Sequence, residues 1–258
     1  MMRHRKKPLK FWLALLAAAV PVVFLAAPAF AQSMNIDLGD MGGKSATARM
    51  IQIILVMTII SLAPSILVMV TSFTRIIVVL SLLRTAIGTQ QTPPNQVLIS
   101  LALFLTAFVM APTFDKAYKD GVVPLLNEEI SEEEAIRLTA APFHSFMLSQ
   151  VRDKDLELFA EMMPEGTPEI EKPEDTPYQM LVPAFMISEL KRAFEIGFLL
   201  FVPFLIIDML VASTLMAMGM MMLPPVIISL PFKLIFFVLV DGWHMVAGSL
   251  VKSFGAVS

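Results

Sequence analysis

The sequence predicts an all-α chain of a membrane complex: apolar helical hairpins carrying a small α-helical insert outside the cytoplasm. Three observations lead there. Of the 258 residues, 57% are hydrophobic and only 16% charged, against about 45–50% and about 25% in soluble domains. Ile51 to Thr74, Thr85 to Phe114 and Met209 to Phe232 hold no charged residue over 24, 30 and 24 positions. Each is long enough to cross a bilayer, which takes roughly 20 mostly apolar residues. The mean hydropathy is +0.75. This composition excludes both an ordinary soluble enzyme and a disordered chain.

The first 31 residues have the order of a secretory signal peptide. Arg3, Arg5, Lys6, Lys7 and Lys10 precede an apolar run from Phe11 to Phe30, and Ala29-Phe30-Ala31 is a small-x-small cleavage site. No adjacent Arg-Arg pair precedes the run, which favours the general secretory route. Cleavage after Ala31 removes five positive charges and leaves the new N-terminus outside the cytoplasm.

Residues 32–49 form a polar lead. Residues 50–112 make the first apolar hairpin: Met50 to Val70, broken at Pro64; Phe73 to Gly88, with Arg75 and Arg84; and Gln96 to Ala111, capped by Asn95. Gly88 to Pro94 is a turn, since glycine and two prolines interrupt a helix there. Residues 113–182 carry 16 acids and 6 bases and read as an acidic periplasmic insert. Ser131 opens a helix with Glu134 completing a capping box. Pro142 to Met163 is a second, amphipathic helix, and Pro164 to Pro177 is a loop. Residues 183–258 make the second hairpin. Pro183 starts a long helix to about Leu223 with a kink at Pro203. Pro224-Pro225 ends it, and Val226 to about Phe254 returns.

With the N-terminus outside, the insert lies outside and the tip of the second hairpin points inward. Arg75 and Arg84 obey the positive-inside rule and Lys191 and Arg192 do not. The inward tip has no charge to anchor it at an interface, so it packs against protein.

Cysteine is absent, so disulfides, thiol catalysis and Cys-ligated metals are excluded. His4, His144 and His244 have no ligand pattern around them. No GxxxxGK[ST] loop is present to hold a nucleotide phosphate. HExxH is missing, and no serine–histidine pairing suggests an intramembrane enzyme. Few mid-helix charges and dissimilar halves weigh against a small-solute transporter. No enzyme activity, cofactor, metal or nucleic-acid partner is expected.

Five separated motifs, in order, carry a family likeness over about Met50 to Phe254. They are Thr71 to Arg84, Gly88-Thr-Gln-Gln-Thr-Pro-Pro-Asn95, Pro183 to Phe198, Met218-Gly-Met-Met-Met-Leu-Pro-Pro225, and Leu230-Pro-Phe-Lys-Leu234 with Asp241-Gly-Trp243. Together they resemble the FliP family of flagellar export-gate proteins. That resemblance implies a homo-oligomer, five copies in the family pattern, wound with FliQ and FliR partners into the gate of the flagellar type III secretion system. It implies an inner-membrane, basal-body location, contacts with other export-apparatus subunits, and unfolded proteins as passengers. Injectisome relatives share the motifs but commonly lack a cleaved signal peptide, which favours the flagellar branch.

The candidate residues follow. Met220, Met221 and Met222, supported by Met216, Met218, Gly219, Pro224 and Pro225, suit a yielding constriction, because Met is unbranched and adapts to varied shapes. A buried Met-rich helix end is the plainer alternative, and the resemblance implies the pore gasket. Glu189 can pair with Arg192 on its own helix or with a neighbouring subunit, as the resemblance implies. Arg75, Arg84, Phe143, Phe146 and Phe159 are the further candidates for inter-subunit contact, although the three Phe could simply pack the insert. Asp208, Lys233 and Asp241 are candidate buried charges. Asp208 needs a partner, which Arg75, Arg84, Lys233 or another subunit could supply; a proton relay is the sharper reading. Lys233 and Asp241 share a face but are too far apart to touch.

Overall fold

The computed structural model describes residues 44–89, 91–164, 172–220 and 222–255, with side chains from Met50 onward. The expected signal peptide 1–31 with Ala29 and Ala31, most of the polar lead, Met221 and half of the loop after Pro164 lie outside the described residues. The described residues are helical throughout, with no strand. The chain divides into two compact units, Met1–Thr58 and Ile59–Ser258. The described part of the first is the opening of α1 (Lys44–Val70), where the Thr58 hydroxyl donates to Ile54 O at 2.8 Å.

The second unit continues with α2 (Phe73–Ile87), α3 (Asn95–Ala117), a π turn (Tyr118–Val122), α4 (Val123–Leu126), α5 (Glu132–Gln150) and α6 (Asp153–Glu161). A 3₁₀ turn (Pro173–Asp175) leads into α7 (Tyr178–Ala217), α8 (Pro225–Leu239) and α9 (Gly242–Lys252). Gly88 ends α2 in the left-handed region, φ +89°, where a side chain would be strained.

Several helix boundaries differ from the sequence expectation, most of them where a helix runs through a proline. Pro64, Pro112, Pro142, Pro183, Pro203 and Pro231 all lie inside helices. A proline removes one ladder hydrogen bond, but in apolar surroundings the remaining backbone has no water to turn to. The helix therefore runs on. Consequently α3 does not end at Ala111: it passes residue 113, the expected start of the insert, and continues through the π turn to Leu126. α5 runs through Pro142 instead of breaking there, and α7 starts at Tyr178, not Pro183. The last segment is two helices bent by 63° rather than one. Only half of the capping box forms. The Ser131 hydroxyl accepts from Glu134 N at 3.3 Å, while the Glu134 carboxylate turns to Arg137.

α2 is the centre of the unit. Its Ile76, Val79, Leu80 and Leu83 are at most 1% exposed and pack with Leu98, Ala102 and Val109 of α3, Ala193 and Phe204 of α7, and Phe237 of α8. α7 approaches α2 so closely that a Cβ on Gly197 would sit 2.3 Å from Leu82 Cδ1. A second cluster joins Met147 and Val151, at the end of α5, to Leu181, Ala184 and Phe185 of α7. The insert helices thus fold against an apolar helix of the same unit. Three helices among the described residues are long and apolar enough to cross a membrane, or four if the bent α8–α9 pair is one span.

Candidate functional site

Arg75 sits in the first turn of α2 and is fully buried. Its partners come from three other places in the chain. Nε donates to Glu189 Oε2 at 2.9 Å, and Nη2 bonds Glu189 Oε1 and, at 3.1 Å, Gln150 Oε1. Nη1 donates to the carbonyl and hydroxyl of Ser253 at 3.0 and 3.1 Å. The Phe254 ring lies 3.7 Å from the guanidinium carbon, within cation–π range. Arg192 adds a bond to Gln150 Oε1 at 3.1 Å.

Glu189 and Arg75, both expected at an inter-subunit contact, pair with each other inside the chain. The two carboxylate oxygens of Glu189 face the Arg75 fork inside the chain, and both side chains are sealed from solvent. Lys191–Glu195 remains a loose, exposed i,i+4 pair at 3.8 Å. Gln150, Ser253 and Phe254 did not stand out in the sequence, where a polar residue on a mostly apolar face was the sole signal for Gln150.

A second pair fastens the other end of α2. Lys233 Nζ donates to Asp208 Oδ2 at 2.6 Å and to Ala86 O at 3.2 Å. Ser229 donates its hydroxyl to Asp208 Oδ1. Of the cations open to Asp208, Lys233 is the one beside it. It also caps a carbonyl in the last turn of α2, where the helix dipole favours a cation. Asp241 departs from its expectation as a buried charge: it is exposed at the α8–α9 bend, with φ +48°.

The tip between α7 and α8 is exposed. Met216, Met218, Met220 and Met222 are 58%, 62%, 44% and 98% accessible, so in this chain they are not a buried helix end. Gly219 has φ +75°, and a Cβ placed on it would meet nothing within 4 Å. Pro224 and Pro225 start α8.

The other expected contact residues have partners within the chain, and each stays partly exposed. Arg84 donates to Asn95 Oδ1 at 2.6 Å and Pro93 O at 3.3 Å, closing the turn between α2 and α3. Phe146 meets Phe185 edge-on and stacks on Phe254. Phe143 meets Phe114 edge-on, and Phe159 packs on the Met147–Phe185 cluster. All three rings thus contact apolar helices of their own chain.

Two further polar joints hold the insert. His144 Nε2 lies 2.7 Å from Thr176 O. Asp155 accepts from the Ser188 hydroxyl and from Arg152 Nε at 2.8 Å. Burial raises the Asp155 pKa, but these donors outweigh it and hold the carboxyl below the usual range.

The motifs now have neighbours: Thr71 to Arg84 and Pro183 to Phe198 meet at Arg75–Glu189, and Leu230 to Leu234 meets α2 at Lys233. The FliP family model matches residues 56–250, a stretch containing all of these joints except Ser253 and Phe254. The chain belongs to the FliP family. It is 60% identical over 238 residues to the flagellar biosynthetic protein FliP of Caulobacter vibrioides, covering 92% of this chain and 88% of the relative. It is 55% identical over 204 residues to that of Bacillus subtilis, covering 79% and 91%. For Pectobacterium carotovorum the identity is 51% over 238 residues, covering 92% and 91%.

Proposed function

We propose that this FliP-family chain is a subunit of the flagellar type III export gate. Several copies, five in the proposed arrangement, close with FliQ and FliR around a channel for unfolded flagellar proteins. The subunit works as a conduit and not as a catalyst. One observation carries the reading. At 40 residues, α7 is about 60 Å long, twice the roughly 30 Å hydrocarbon core of a bilayer. Large apolar side chains are exposed along it, from Ile187 and Phe194 through Phe198 and Leu205 to Met216. The part beyond the bilayer needs protein cover, and partner subunits provide it.

In this reading the chain sits in the inner membrane at the flagellar basal body. Residues 1–31 are removed, and the acidic segment between α3 and α7 is periplasmic; Arg75, bonded to Gln150 of that segment, then lies on the outer side and not in the inward connection that the positive-inside rule favours. A reporter active only in the periplasm, fused at Pro168, is then active; activity of a cytoplasmic reporter at the same place overturns the orientation. Met220 to Met222 line the narrowest part of the channel.

The function is tested by deleting the gene in its own host. Loss of flagellar protein secretion, restored by the intact chain, is the expected outcome. Native mass spectrometry of the purified complex should give several copies of this chain with FliQ and FliR. A monomer or simple dimer without partners, or secretion that continues in the deletion strain, rejects the proposal.

A further inference from the structure

Arg75 is enclosed by groups made much later in synthesis. Its partners Gln150, Glu189 and Ser253 lie 75, 114 and 178 residues further along the chain. The last of these is supplied by the turn after α9. Ser253 gives both a carbonyl and a hydroxyl to Nη1. Phe254 covers the guanidinium with its ring, is 7% exposed, and stacks on Phe146 of the insert. The Phe254 carbonyl also accepts from Gln150 Nε2 at 3.5 Å.

Two of the five guanidinium donors thus wait for nothing but this turn's position against α2. Glu189 alone satisfies Nε and one hydrogen of Nη2. Until the turn docks, Nη1 lacks both Ser253 acceptors, and the side of the ion pair that Phe254 covers is open. A buried charged donor left unpaired is strongly destabilising. At roughly 5–20 residues per second, the 178 residues between Arg75 and Ser253 take on the order of 10–35 s to make. The N-terminal partner therefore waits, incomplete, through most of synthesis.

We propose that the Ser253–Gly255 turn is an intramolecular clasp that completes the Arg75–Glu189 site last and locks the fold of the subunit. Chains that lack the turn keep α2, α5 and α7 unlocked. The clasp acts on folding of the subunit, upstream of the gate function proposed above.

The test is cell-free synthesis into nanodiscs, where no cellular protease removes a loose product. Three chains are compared: intact, ended after Gly255, and ended after Lys252. Limited trypsin cleavage at Arg75 is read first. The intact and Gly255-ended chains should resist, and the Lys252-ended chain should be cut roughly tenfold faster, as expected for a lost hydrogen bond to a charged group. Equal resistance of all three overturns the proposal. The same three ends are then compared in an Arg75→Met, Glu189→Leu background by protease resistance of the whole chain. With no buried charge to enclose, the presence of the turn should stop mattering. If the Lys252 end remains as damaging there, the turn acts through Phe254 packing on Phe146 alone, and the clasp is rejected. These readouts need no oligomer or export, so they fail or succeed independently of the gate reading.

Discussion

Replacing Glu189 by Ala should lower the stability of the folded chain by about 3–5 kcal/mol, the usual cost of breaking a buried ion pair from one side. Arg75 would keep Gln150 and Ser253 as neutral acceptors but lose the one carboxylate that balances its charge. Both side chains are at most 1% exposed, so water cannot step in. An exposed pair would be worth roughly 0–1 kcal/mol, and the difference between the two ranges is measurable. The experiment is thermal unfolding of the purified complex together with the amount of chain in the membrane. The paired replacement Arg75→Met with Glu189→Leu should recover much of the loss, because similar-sized apolar groups remove the unpaired charge. Normal stability of Glu189→Ala would mean that solvent reaches the site. Equal damage from the single and paired variants would mean that shape, not charge, holds α2 on α7.

The second large effect is on the seal. Replacing Met220, Met221 and Met222 together by Ala should leave the fold and the assembly intact while cells become leaky. Met220 and Met222 are exposed, so their truncation removes few contacts within the chain and little stability. What is lost is length and adaptability at the proposed constriction, where hydrophobic side chains exclude water. A membrane-potential dye should show depolarisation when the complex is overproduced, and secretion should continue, since a wider gap passes a chain. Replacing the same three by Leu keeps bulk but adds branching, so leakage should stay low while secretion slows. Normal assembly without leakage in the Ala variant removes the gasket role. Failure to assemble would instead place these side chains in subunit contacts.

The class of molecule was legible because it depends on sums: the apolar excess, the uncharged spans and the ordered motifs. Local capping was legible at Ser131, where the signal spans three residues. Partners distant in sequence were not. Glu189 has Arg192 one turn away, and spacing alone cannot reveal that Arg75, 114 residues earlier, is the nearer cation. The same holds for Asp208, whose four candidate partners differ only in how the helices pack. Phe143, Phe146 and Phe159 meet rings and helices of their own chain, and from sequence an aromatic face looks alike whether it awaits another subunit or covers its own chain. Prolines misled on boundaries: at Pro112 and Pro183 the helices are apolar, and a proline's strength as a stop depends on water that such helices do not see, while the insert helix runs through Pro142 as well.

The pins at the far end of α2 have a consequence for movement at the tip. Asp208 and Lys233 are the two residues that bound the uncharged run from Met209 to Phe232. They also pair with each other. Everything beyond that crossbar is electrically silent. Carrying one elementary charge through a membrane potential of 100 mV takes about 2.3 kcal/mol, and a charge dragged through apolar surroundings takes more. Swinging the methionine tip while the crossbar holds displaces no charged side chain. In the proposed gate, a passing chain that parts the tip moves no charged side chain of this subunit through the membrane field.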